Sequence, residues 1–179
     1  MTSLNDFSDE ERTLLISLPY KVGVWVSHSD DAEGEQDDEL EMESLEKIIA
    51  EVSKHHEDMP FVHQIARGTL SAREHWPIWA NNSFHVLDEC AKAIALLNAR
   101  VEERAVNNYR KTLLEIAHTV AEAWGEFGGG LEEEPEGGFG ALVGKISGLF
   151  SKDDDTNHAM NISAAEDSSI AQLAAVLAD

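Results

Sequence analysis

The chain has 179 residues, 42% of them hydrophobic, and carries 13 Lys and Arg against 35 Asp and Glu, a formal net charge of −22. That length fits one domain with a core of its own, and enough hydrocarbon is present to offset the entropy of ordering, which excludes both a disulfide-stapled mini-protein and a disordered acidic tail. So negative a surface repels phosphate backbones and anionic headgroups, and nucleic acid is not an expected partner.

Met1 to Asp9 shows no basic stretch followed by an apolar one, and no window approaches eighteen consecutive apolar residues, so neither secretion nor stable membrane insertion is expected. Cys90, the single cysteine, has no intramolecular disulfide partner. A reducing cytoplasm is the simplest location.

Ser8-Asp9-Glu10-Glu11 has the form of a capping box, in which serine and the glutamate three residues on satisfy each other's free amides. The helix it opens places Leu14, Leu15, Leu18, Val22, Trp25 and Val26 on one buried face. Pro19 interrupts that face and predicts a kink, and Val22 to Val26 alone would also suit a strand. Acidic residues dominate 30–46, after which Leu45, Ile48, Ile49 and Val52 predict a second helix reaching His55-His56. Pro60 suits a first helical position and opens a third, with Phe61, Val62, Ile65, Ala66 and Leu70. Trp76-Pro77-Ile78-Trp79 and Asn81-Asn82-Ser83 read as an irregular connection that packs its tryptophans on the bundle. Leu87, Cys90, Ala91, Ile94, Leu97 and Val101 then form the clearest helical stripe. Leu113, Leu114, Ala117, Val120, Ala121 and Trp124 form another, ending near Gly125 and Gly128-Gly129-Gly130. Strand signals are nearly absent, so the expected fold class is all-α.

Shifting the chain by 99 residues lays Arg12-Thr13-Leu14-Leu15 on Lys111-Thr112-Leu113-Leu114 and Trp25 on Trp124. A shift of 125 lays Glu41, Leu45, Ile48, Ile49 and Val52 on Glu166, Ile170, Leu173, Ala174 and Leu177. The two shifts differ by 26 residues, the size of a glycine-rich acidic insertion within about 126–160. The expectation is a single helical domain, 1–179, of two pseudo-repeated helix-loop-helix halves joined by a central helical segment.

A helix ending in an acidic turn, followed by Glu-x-x-x-apolar-x-x-apolar, resembles the repeat of the tellurite-resistance TerB-like family. The resemblance rests on Ser29-Asp30-Asp31 with Glu41-Met42-Glu43-Ser44-Leu45, and on Ala123-Trp124-Gly125-Glu126 with Ile162-Ser163-Ala164-Ala165-Glu166. It covers the two ends of the chain, leaves 57–110 unmatched, and lacks the Asp-Gly turn usual in that family. It implies a duplicated all-helical bundle associated with bacterial stress, metal-oxyanion resistance and acidic metal-binding surfaces.

From Asp30 to Glu46 the chain presents ten carboxylates and no Lys or Arg. Two unit charges about 6 Å apart repel by roughly 0.7 kcal/mol in bulk water and by several times that near a low-dielectric surface. A divalent cation removes that repulsion, and a hard ion such as calcium or magnesium takes oxygen ligands in this number. The candidate ligands are Asp30, Asp31, Glu33, Glu35, Asp37 and Glu41. With Gly34 at the glycine of an EF-hand loop, the first position falls on Ser29 and the twelfth on Leu40, so the loop is not a conventional EF-hand. The blander alternative is a solvated loop whose first-turn acids, Asp37 to Glu41, stabilise the next helix's dipole.

Glu115-Ile116-Ala117-His118 has the Glu-x-x-His spacing of carboxylate-bridged di-iron bundles, but no second copy exists, and a partly buried structural His118 is expected. His55, His56 and His63 bracket a turn without cysteine or His-x-x-x-His spacing, and are expected at the surface. His85, Asp88 and Cys90 lack the strained turn and oxyanion loop of a nucleophilic site. In the insertion, Phe139, Leu142, Ile146 and Phe150 fall on one helical face, with Gly140, Gly144 and Gly148 on a second row. Such a helix is too short to span a bilayer and suits docking on the bundle, on a protein partner or on a second copy. The leading expectation is a non-enzymatic stress or metal-response protein using the acidic loop. A helical adaptor using 139–150 and the Trp76/Trp79 region comes second, and a carboxylate-bridged metalloenzyme third.

Overall fold

Ser8 fixes where the first long helix begins. Glu11 N–H donates to Ser8 Oγ at 3.2 Å and Ser8 N–H donates to the Glu11 carboxylate at 2.9 Å, the reciprocal box that the sequence predicts. That backbone donation, against desolvation and with a smaller contribution from the Arg100 guanidinium, holds the Glu11 carboxyl below the usual carboxylate range. A second box, Ser3 with Asp6, precedes it and opens the short 3-10 turn Leu4–Asp6.

The computed structural model describes residues 3–29, 38–56, 58–125 and 164–178. They form an all-α bundle: α1 (Asp9–Ser27), α2 (Asp38–His55), α3 (Pro60–Ser71), α4 (Trp76–Asn81), α5 (Val86–Arg100), α6 (Glu103–Gly125) and α7 (Ala164–Ala178). Among the described residues there is no strand, and no helix is long and apolar enough to cross a membrane.

The expectation of one buried face on α1 is corrected. Every residue from Ser17 to Val24 is buried, so over this stretch the helix is enclosed round its whole circumference. It is the central strut, packed against α2, α3, α4, α5, α6 and α7. Contact pairs give the directions. Thr69 meets Ile16 and Phe61 meets Phe7, so α3 runs parallel to α1. Tyr109 meets Leu15 and Val120 lies near Gly23, so α6 is also parallel. Lys21 pairs with Glu89 and Glu11 with Arg100, making α5 antiparallel. Leu45 near Gly23 and Glu41 on Ser27 make α2 antiparallel as well.

Pro19 lies inside α1, yet the helix continues through it to Ser27. A proline has no N–H, so the carbonyl of Leu15, four residues earlier, loses its helical donor. The Tyr109 hydroxyl, fully buried, donates to that oxygen at 2.9 Å. The next carbonyl, Ile16, accepts from the Thr69 hydroxyl at 2.6 Å. The neighbouring α6 thus supplies the donor that the proline lacks, α3 adds a bond to the next carbonyl, and the strand alternative for 22–26 fails.

The expected irregular connection at 76–83 is also corrected. Trp76 to Asn81 is helical, and 3-10 turns at Arg73–His75 and Ser83–His85 flank it. Pro77 sits in the first turn, where its missing N–H costs nothing. Trp76 is fully buried, stacks on Tyr20 with centroids 4.3 Å apart, and donates its indole N–H to the Thr69 carbonyl at 3.0 Å. Trp79 is buried beside it.

Burial matches at five positions under the shift of 125 but not under the shift of 99, where Thr13 is exposed and Thr112 buried, Leu14 half-buried and Leu113 buried, and Leu15 buried and Leu114 half-buried. Glu41, Ser44, Leu45, Ile48 and Val52 of α2 are buried, and so are Glu166, Ser169, Ile170, Leu173 and Leu177 of α7. In the preceding helices Thr13 donates to the Asp9 carbonyl at 2.8 Å and Thr112 to the Asn108 carbonyl at 2.9 Å, equivalent bonds 99 residues apart.

Candidate functional site

The end of α1 and the start of α2 meet at a buried carboxylate. His28 N–H and Ser29 Oγ take up carbonyls of the last turn of α1, Val24 at 3.0 Å and Val26 at 2.7 Å, and so terminate the helix. Ser27 Oγ lies 2.9 Å from the Val24 carbonyl and also bonds the Glu41 carboxylate, so a single hydroxyl proton faces two acceptors. Glu41 is 5% exposed. Its second oxygen lies 3.4 Å from Nε2 of the exposed His28. A buried anion normally demands a full complement of donors or a countercharge. Among the described residues Glu41 has a shared hydroxyl and one distant imidazole, and it stands in the first turn of α2. Of the expected ligands, Asp30, Asp31, Glu33, Glu35 and Asp37 lie outside the described residues, as do Phe139, Leu142, Ile146 and Phe150. Among the described residues no three His, Cys, Asp or Glu side chains are grouped to hold a metal ion.

A second polar cluster joins α2 to α6. The Glu115 carboxylate receives His55 Nδ1 at 3.0 Å on one oxygen and His56 Nε2 at 2.8 Å on the other. The expectation of three surface histidines is corrected here, because His56 is buried and His63 is half-buried, with Nδ1 3.2 Å from Ser53 Oγ. His118, expected to be partly buried, is exposed. Glu115 therefore works with residues 59 and 60 positions earlier, not with the histidine one turn away. Adjacent histidines at a predicted helix end were the available signal. Which carboxylate they meet depends on the crossing of two helices.

A third feature has no sequence signature. A cleft of about 240 Å³ opens where the first turn of α3 faces the turn between α5 and α6, with Met59, Phe61, Val101 and Ala105 as its apolar lining and Arg104 and Asn108 among its polar groups.

Nucleophilic chemistry at Cys90 is closed off. The thiol is buried, and desolvation, then the Glu89 carboxylate, push it up to about 12. A thiol held protonated is not a nucleophile near neutral pH. His85 and Asp88 are exposed on the other side of the same short stretch. The adjacent buried Lys21 donates to both oxygens of Glu89 at 2.8 Å, a neutralised pair that ties α1 to α5.

Compared with protein-family models, curated proteins and solved structures, the chain matches none of them.

Proposed function

We propose that this chain is a non-enzymatic binding protein that takes a divalent cation, calcium or magnesium, at the turn between α1 and α2, a role in keeping with the stress and metal-response character that the TerB-like resemblance implies. One observation carries the reading: Glu41 is a buried carboxylate, held against the end of α1 by a hydroxyl that also serves Val24, directly after a run of acids. A flexible cluster of carboxylates attracts ions diffusely. One carboxylate fixed by the fold gives such a cluster a geometric anchor, and hard cations are selected by the number and placement of oxygens. Asp30, Asp31, Glu33, Glu35 and Asp37 would supply the remaining oxygens.

The test is calorimetric titration of the full chain with calcium and with magnesium, before and after Glu41→Gln. The substitution keeps the side chain's shape and removes one of 35 acidic charges. A specific site loses at least about tenfold in affinity, since a hydrogen-bonded anionic ligand is worth more than about 1.4 kcal/mol. Binding that is insensitive to Glu41→Gln is diffuse screening and overturns the proposal, as does the absence of any heat. The adaptor alternative is favoured by Ile78 and Phe84, which are 62% and 68% exposed beside the buried tryptophans and give that segment an apolar outer surface.

A further inference from the structure

The cleft between the first turn of α3 and the turn joining α5 to α6 has a hydrocarbon floor and a charged mouth. Phe61 and Val62 are buried there, and Met59, Val101 and Ala105 are half-buried beside them. Asp58, Glu102 and Arg104 line the same space and are exposed, with the half-buried amide of Asn108 below them. Its volume, about 240 Å³, exceeds the roughly 150 Å³ of a cavity that takes up benzene and falls short of the roughly 300 Å³ at which pockets for drug-sized molecules begin. It admits one aliphatic or aromatic side chain together with its head group.

The charges at the mouth identify that head group. Both signs line one cleft, yet neither Asp58 nor Glu102 pairs with Arg104, and among the described residues none of the three has an ion pair elsewhere. A simple anion there would engage Arg104 and face two carboxylates, on a molecule whose net charge of −22 already repels it. A simple amine would engage a carboxylate and leave the guanidinium beside it as a like charge. A ligand that presents both signs on neighbouring atoms meets both demands, and being neutral it is indifferent to the net charge. Set on an apolar floor, that description is of a free α-amino acid with a hydrocarbon side chain. The start of α3 is in keeping with it: Met59 gives no side-chain cap, Pro60 has no N–H, and the amides of Phe61 and Val62 have no acceptor among the described residues.

We propose that this cleft binds a free apolar α-amino acid as its zwitterion, with the carboxylate toward Arg104 and Asn108, the ammonium toward Asp58 and Glu102, and the side chain on Met59, Phe61 and Val101. Arg104 sets the specificity, because without it the mouth is purely acidic and favours any amine. The cleft lies at the end of the bundle where α3 and α6 begin, and Glu41 lies at the other end, beside the close of α1. The proposal therefore stands or falls independently of cation binding at Glu41.

Titration of the full chain followed by nuclear magnetic resonance tests this, read at the backbone amides of Met59, Phe61, Val62 and 101–108. The ligands are L-leucine and L-phenylalanine, the amines isopentylamine and phenethylamine, which lack the carboxylate, and the acids 4-methylpentanoate and 3-phenylpropionate, which lack the ammonium. At least one of the amino acids shifts these amides saturably with a Kd of about 1 mM or tighter, as molecules this small can reach. Its amine and its acid each bind at least about tenfold more weakly, since each forgoes a charged hydrogen bond. Arg104→Gln weakens the amino acid by at least about tenfold and does not weaken the amine, whereas Arg67→Gln, an exposed cation further along α3, behaves as the parent. The same spectra show that each variant is folded. The proposal is overturned if neither amino acid gives a saturable shift up to about 20 mM, if the amine binds as tightly as the amino acid, or if Arg104→Gln leaves the amino acid's affinity unchanged.

Discussion

Tyr109 shows how a single atom decides whether a proline is tolerated. Its hydroxyl occupies the place of the N–H that Pro19 lacks, and burial, then the neighbouring Cys90 and Glu89, raise its ionisation well above the usual range, so it remains a donor. Tyr109→Phe leaves the packing intact and strands the Leu15 carbonyl in the core. We expect a loss of about 1–3 kcal/mol, read from the midpoint of urea denaturation, because a buried acceptor without a donor loses its full solvation. Phe at this position with unchanged stability would mean that the carbonyl finds another donor. The sequence displays Pro19 as a cost. It does not display the compensation, since Tyr109 lies 94 positions from Leu15 and is brought there only by the crossing of α1 and α6. Glu41 is the opposite case: its place at the head of an apolar helical stripe marked it in the sequence, and what could not be read was its burial against Ser27.

At the scale of elements, the approach of α2 to α1 depends on a missing side chain. A Cβ on Gly23 would lie 2.4 Å from Leu45 Cδ2, with Val120 Cγ2 at 3.6 Å on the other flank. Alanine is about 1 kcal/mol better than glycine in a helix interior, yet overpacking a full core costs about 1–3 kcal/mol. Leu45 is fully buried, so moving its side chain disturbs the packed core, and we expect the clash to prevail. Gly23→Ala should therefore destabilise the protein in thermal unfolding, and Gly23→Ala with Leu45→Ala should recover part of the first loss. A stabilising Gly23→Ala would show that α1 and α2 separate freely. The same scale explains the misread of α4. Pro77 and the Asn81-Asn82-Ser83 run are turn signals locally, and the tryptophans supply what local propensity does not: Trp76, stacked on Tyr20 and bonded to Thr69, fixes a short helix through tertiary contacts. The long amphipathic elements α5 and α6 were legible because their apolar spacing repeats over several turns.

For the whole molecule the dominant fact is the net charge of −22, which opposes compaction at every separation shorter than the screening length. Raising sodium chloride from about 20 mM to about 300 mM should raise the melting temperature by about 2–5 °C, since screened self-repulsion outweighs the weakening of exposed pairs such as Arg73 with Glu46 and Arg100 with Glu11. A melting temperature that falls with salt would assign the larger role to those pairs. The matching burial of five positions in α2 and α7 belongs to this scale too, because both helices feed one core.

The sequence by itself determined the class of the fold, the starts of the capped helices, the apolar stripes and the place where negative charge accumulates. Each of these is encoded by neighbours within a few turns. Only the tertiary structure decided that the middle of α1 is enclosed on all sides, that Tyr109 compensates for Pro19, and that Glu115 serves His55 and His56. Those outcomes depend on which helices cross and at what depth, and burial, donor supply and charge pairing are properties of residues that meet across dozens of positions in the chain.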